Sequence, residues 1–263
     1  MIEMHRRVHR SARLLAPALL IVLAGEARAW TPHLQSEIAA TAAKLAPPDL
    51  RGQLERHDKE LRRGALEAFK DSDAARHVKN PDGTGTLDRV IVEEANRAIE
   101  MIRAPRTFGE IAYQLGRLSH FVADANNPLN TSSADPGESR YFADYLFYME
   151  SAEPRFALVF YGLDARFDGR RDLSGLAAAA LARGRVLYPA IGREYARTGR
   201  IDGRELFDDR STAFGVAAVS YSHALSDAAN AFRFVWLHAG GADPRPHMSA
   251  SQPAPLARVP AGR

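Results

Sequence analysis

Apolar residues recur at helical spacing in seven stretches of this chain, roughly 34–46, 53–69, 87–103, 108–125, 139–150, 174–197 and 211–238, while runs that alternate with a period of two are scarce. A chain patterned this way buries one stripe of each segment against its neighbours and leaves few residues for a sheet. The expectation is an all-α fold, a single multi-helix domain. Alanine-rich segments such as LSGLAAAALARGRVLYPAIGREYA (173–196) read as helices that approach one another closely. The breaks fall at PDGTG (81–85), NNPLNTSSADPGES (126–139) and DARFDGRRD (164–172), where turn-forming residues cluster.

The two ends do not share this pattern. Residues 1–29 combine a basic head (Arg6, Arg7, Arg10, Arg13), the apolar LLAPALLIVLAG and the small-x-small sequence ARA before Trp30. That is the layout of a secretory signal peptide, with an apolar core too short to span a bilayer stably. The expected mature product therefore starts at Trp30 and is exported, periplasmic or extracellular, with no further membrane-spanning run. The helical domain is expected over 30–239. Residues 240–263, rich in Pro, Ala and Ser and without periodicity, read as a disordered tail.

Charge and cysteine narrow the class. Removing residues 1–29 takes away five arginines and two glutamates and leaves 30 basic and 30 acidic residues, so the apparent basicity belongs partly to the leader. A balanced surface without an aromatic-basic stripe carries no nucleic-acid signature. The chain has no cysteine, so stability outside the cell has to come from packing, or from packing plus a metal.

Within the fourth helical stretch, LGRLSHFVADANNPLN (115–130) sets His120 and Asp124 four residues apart in an apolar run that ends at Asn126, Asn127 and Pro128. Residues at i and i+4 share one helix face, so an imidazole and a carboxylate there can converge on one point. A metal ion suits that geometry. A direct hydrogen bond between the two, or a cap on a neighbouring helix, suits it as well. SHALSDAAN (222–230) repeats the offsets of SHFVADANN (119–127) and yields a second pair, His223 and Asp227, with no longer repeat behind it. Trp30, as a first residue, would offer an amino group and a carbonyl for chelation if the terminus were buried.

Several stretches, in order, resemble the zinc-dependent phospholipase C family and its relatives, the zinc-dependent single-strand nucleases. A first-residue Trp is matched by Trp30. The family's ELxxG, leading to a ligand aspartate, is matched by ELRRG (60–64) and Asp71, with Asp73 as competitor. HVKNPDG (77–83) matches the motif that carries a ligand histidine, His77, and LGRLSHFVADANNPLN matches the central signature with His120 and Asp124. The match covers roughly residues 30–145. It implies an all-helical exported hydrolase of phosphodiesters such as phospholipids, with Trp30, Asp71, His77, His120 and Asp124 as zinc ligands and Asp71 also catalytic.

Departures accompany the matches. WTPHLQSEIA puts Gln35 where the family has a ligand histidine, and His33 lies two positions early. Asn130 replaces the histidine that closes the central signature, and in ESRYF (138–142) Glu138 and Phe142 replace a His and a Glu. The resemblance thus implies one complete zinc set with, at most, a second weak site. Two functions follow: a metal-dependent phosphodiester hydrolase with a reduced metal complement, or a catalytically inactive, metal-stabilised helical binding protein. Oxygen-rich replacements such as Asn130, Asp135 and Glu138 also admit a harder cation, calcium or magnesium.

Overall fold

The computed structural model describes residues 30–131, 138–199 and 202–242. The expected leader (1–29) lies outside these residues, as does the expected tail from residue 243 onward. Eight α-helices run through the described part: α1 Pro32–Leu45, α2 Pro48–Arg56, α3 Asp58–Glu67, α4 Leu87–Arg103, α5 Phe108–Asn126, α6 Glu138–Ala152, α7 Ser174–Thr198 and α8 Thr212–His238. No β-strand occurs among the described residues.

The stretch expected as one helix over 53–69 is two. Pro48 sits in the first turn of α2, where its missing N–H costs nothing, so that helix begins earlier than its apolar pattern shows. It stops at His57, whose backbone leaves the helical region (φ −115°, ψ 32°), and α3 restarts at once. The other six expected helices start and end within about two residues of their sequence patterns.

α5 is the axis of the molecule. It packs against α3, α4, α8, α7 and α1, and every residue from 118 to 126 is buried, as expected of a helix surrounded on all sides. Its start is fixed by a capping box: Thr107 Oγ1 accepts from the Glu110 N–H, and Glu110 Oε2 accepts from the Thr107 N–H at 3.0 Å. Its end is set by Asn127, whose Oδ1 accepts from the Leu129 N–H at 2.9 Å, and by Pro128, which cannot continue the helix.

Two glycines bring α3 and α5 into backbone contact. A Cβ on Gly64 would lie 1.9 Å from the Tyr113 carbonyl oxygen, and one on Gly116 would lie 2.0 Å from that of Leu61. These are the glycines of ELRRG and of the LG that opens the central signature. The motif spacing is therefore a packing device first.

Candidate metal centre

The close contact of α3 with α5 fixes His120. Its Nδ1–H donates to the Ala65 carbonyl, next in sequence to Gly64, at 2.8 Å. A carbonyl only accepts, so the proton is on Nδ1 and a neutral His120 presents a bare lone pair at Nε2. Phe69 meets the ring edge to face, 4.8 Å between centroids.

His77 comes from a 3-10 turn, Ala74–His77, on the loop between α3 and α4. Asp73 caps that turn by accepting from the Ala75 N–H at 3.0 Å. The loop is sewn to the end of α5 through Asn130, which donates Nδ2–H to the His77 carbonyl at 3.0 Å and accepts from the Lys79 N–H at its own carbonyl.

Together these elements bring His77, His120 and Asp124 into one group that could hold a metal ion. His77 Nδ1 lies 2.7 Å and His120 Nε2 3.2 Å from the same carboxylate oxygen, Asp124 Oδ2, and the two nitrogens are 3.3 Å apart. A tetrahedral zinc with bonds of about 2.0–2.1 Å separates its ligand atoms by roughly 3.3 Å. The other Asp124 oxygen accepts from Gln35 Nε2 on α1 at 2.9 Å. The relative exposures are 4% for His77 and 1% each for His120 and Asp124, so bulk water does not screen the group.

One proton on each imidazole sets a lone pair against the carboxylate. His77 can donate Nδ1–H to Asp124 Oδ2, but a neutral His120 then directs a lone pair at the same anionic oxygen. A cation between them, either a second proton on the imidazole or a metal ion, relieves that repulsion. Burial alone would push the Asp124 carboxyl up, but the neighbouring His120 and His77 outweigh it and hold the group below the usual carboxylate range. Two imidazoles and an ionised carboxylate form a donor set suited to a borderline divalent cation.

Other expected site residues lie around this group or away from it. Trp30 is 1% exposed and donates its indole N–H to the Ala123 carbonyl at 2.8 Å, which ties the start of the described chain to the turn of α5 that carries Asp124. Asp71 is outside the three-residue group and forms an ion pair with Arg76 at 2.6 Å. Arg76 in turn lies over the Phe121 ring, which contacts both imidazoles. His33 is exposed, and it is Gln35 that faces the centre. Phe142 packs against the hydrophobic core. The second pair, His223 and Asp227, is not a metal group: Asp227 pairs with Arg183 and accepts from Asn126 Nδ2 at 3.0 Å, while His223 stacks on Tyr161 at 4.1 Å.

Sequence reading did not reach two supports of the centre. One is Gln35 as the residue that satisfies Asp124. The other is the buried Glu94, which gathers Gln114, Arg117 and Arg76 behind Phe121. Glu94 carried a signal, a carboxylate on the apolar face of α4 between Ile91 and Ala98.

No family model matches this sequence, and no curated protein matches it. Solved structures do match. The alpha-toxin of Clostridium perfringens from avian strain SWCP superposes with a TM-score of 0.61 at 13% identity, over 83% of this chain and 66% of the toxin chain. The alpha toxin of Clostridium absonum does so with a TM-score of 0.59 at 14% identity, over 76% of this chain and 62% of that one. The chain has the phospholipase C fold. It spans about two thirds of the length of these toxins. Within the phospholipase C fold, the central helix with His120 and Asp124 is held by the contacts described above, and identity this low carries the architecture and not the activity.

Proposed function

We propose that this protein is an exported, metal-dependent hydrolase of phosphodiester bonds, phospholipids among them, built on the phospholipase C fold with a reduced metal complement. The observation that carries this reading is the convergence of His77, His120 and Asp124 on one buried point as a donor set of two imidazoles and one carboxylate. The residues fit zinc: two nitrogens and one oxygen converge, two of their three separations near the spacing of a tetrahedral zinc, the Ala65 carbonyl fixes the His120 tautomer, and Gln35 holds the Asp124 carboxylate in place. A bound zinc would supply Lewis acidity toward a phosphoryl oxygen and lower the pKa of a bound water.

Asp71 has a separate part in this reading. Held by Arg76 rather than by the three-residue group, it serves as the general base that removes a proton from the attacking water. Its ion pair orients it. Asp71→Asn should then lower turnover about 10²-fold or more with metal content unchanged. Equal loss of metal and activity would make Asp71 a ligand instead.

A second reading is favoured by one feature, the near-complete burial of all three donors. In it the metal only clamps α5 to the loop before α4, and the protein binds without cleaving. Elemental analysis of purified protein, run beside hydrolysis of bis-p-nitrophenyl phosphate, separates the two. Zinc with turnover supports the hydrolase, zinc without turnover supports the clamp, and no tightly held metal sinks both.

A further inference from the structure

Glu94 points inward from α4 and is 4% exposed, whereas the side chain of its neighbour Glu93 is 64% exposed. Three side chains share the two Glu94 oxygens. Oε2 accepts from Gln114 Nε2 at 2.6 Å, and Arg117 spans both oxygens, Nη2 at 3.1 Å from Oε1 and Nε at 3.4 Å from Oε2. These two residues of α5 already satisfy a buried carboxylate, so the third contact, Arg76 Nη2 at 3.3 Å from Oε1, is additional. Two guanidiniums on one carboxylate leave a positive charge in excess. Asp71 supplies the second anion, with Oδ2 at 2.6 Å from Arg76 Nε. Arg117, Glu94, Arg76 and Asp71 therefore alternate in sign from α5 through α4 to the loop between α3 and α4.

At the outer end of this row, Asp71 Oδ1 accepts from the Asp73 N–H at 3.2 Å, while the contact of Oδ2 with Arg76 is close but not aligned as a hydrogen bond. The direction of the carboxylate is thus set by where the Arg76 charge stands. Glu94 fixes that charge. The exposed Glu93 carboxylate, 3.8 Å from Arg76, is screened by water, and the Phe121 face under the guanidinium gives attraction without a defined direction. His77, the residue after Arg76, has anchors of its own, its carbonyl on Asn130 Nδ2 and its ring on Asp124. Cutting Glu94 from Arg76 releases Asp71 and leaves His77 held.

We infer that Glu94 is a positioning residue for hydrolysis: it holds the Arg76 guanidinium where that charge keeps Asp71 directed at the attacking water. The inference rests on the reading of Asp71 as general base. Glu94 lies outside the three-donor group and acts through Arg76. A carboxylate that only balanced buried charge would be needed for stability alone, and the effect of losing it would not depend on whether Asp71 is present.

The test is a double-variant cycle on the full chain as purified, read in kcat and KM for bis-p-nitrophenyl phosphate, in zinc content and in the urea midpoint. Glu94→Gln keeps the shape and removes the charge, and it should lower kcat about 10–100-fold with KM and zinc content unchanged. In an Asp71→Asn background the same change should lower kcat no further, because the group it positions is gone. Arg76→Lys leaves a point charge that cannot meet two carboxylates at fixed angles, so it should reproduce the loss, and it serves if Glu94→Gln does not fold. Equal kcat losses in both backgrounds overturn the inference, as does zinc lost with Glu94→Gln, which would make Glu94 an anchor of the His77 loop. Asp71→Asn at full kcat overturns the general-base reading itself and the positioning role with it. The urea midpoints need no turnover: the shifts of Glu94→Gln and Asp71→Asn should depart from additivity, since both charges meet on Arg76, and additive shifts overturn the inference even in a chain that leaves the probe uncleaved.

Discussion

Gln35 can turn its amide only one way, because the Asp124 oxygen it meets accepts and never donates. Its own Oε1 is then buried without a partner among the described residues, and the same reasoning applied to Asn130, whose Nδ2–H goes to the His77 carbonyl, leaves Asn130 Oδ1 in the same state. Each such orphan costs about 1–3 kcal/mol, a cost accepted where the other half of the amide holds a charged or ligating group. Gln35→Leu removes the donor from Asp124 Oδ1 together with the orphaned Oε1, so the loss of a hydrogen bond to a charged group is partly offset and chelator-treated protein should lose a net ~1 kcal/mol in urea unfolding. A loss within error would show that Asp124 needs no such partner. At this scale His120 and Asp124 were legible, since spacing on a helix is written in the sequence. Gln35 was legible only as a residue standing where a histidine was expected. The Asp71 ion pair with Arg76 was not, since it depends on how the loop between α3 and α4 folds back.

Helix contacts decide whether those side chains meet. Gly64 and Gly116 allow α3 and α5 to touch through their backbones, and that contact presents the Ala65 carbonyl to His120. Gly116→Ala should therefore cost at least about 1–3 kcal/mol by overpacking and weaken metal binding as well. A variant that loses stability while keeping full zinc affinity would separate the glycine contact from the centre. α8 carries a different prediction. Burial, with the Arg183 charge nearby, lowers His223 to about 4. The unfolded chain then takes up that proton first, so the contribution of neutral His223 is whole above about pH 6.5 and lost as pH falls toward about 4. Allowing for the solvent around this half-buried ring, roughly 1–2 kcal/mol is at stake. Asp227 works in the opposite sense, its carboxyl raised by burial against the pull of Arg183. The comparison that isolates the imidazole is thus His223→Gln against wild type, melted from pH 7 to pH 4. The wild type should fall further, and parallel curves would remove His223 from the account. Helix positions were largely legible because periodicity and caps are local. The break at His57 was not, because a run that keeps its apolar stripe across a change of direction looks like one helix.

For the molecule as a whole, the centre joins α5, the loop before α4 and, through Gln35, α1, so a metal bound there stabilises the folded chain by mass action. The order of helices and the central signature were enough to read the architecture from sequence. The way in which the donors close on one another was not, because it depends on three elements meeting. If zinc fills the site, protein with free zinc at a hundred times its dissociation constant should gain about 2.7 kcal/mol over the chelated form. For a domain of this size that moves the melting point by roughly 5–11 °C. His120→Ala and Asp124→Asn should each remove the metal and abolish the shift, and the double variant should be little worse than either single one, since groups acting through one ion are not additive. A proton held between the imidazole and the carboxylate gives another result. The singles would still lose stability, now with a dependence on pH, but chelator would leave the wild-type melting point where it was. Melting curves of wild type and His120→Ala, each with and without chelator, distinguish the two cations, and an unmoved wild type would leave the three residues as a buried hydrogen-bond cluster.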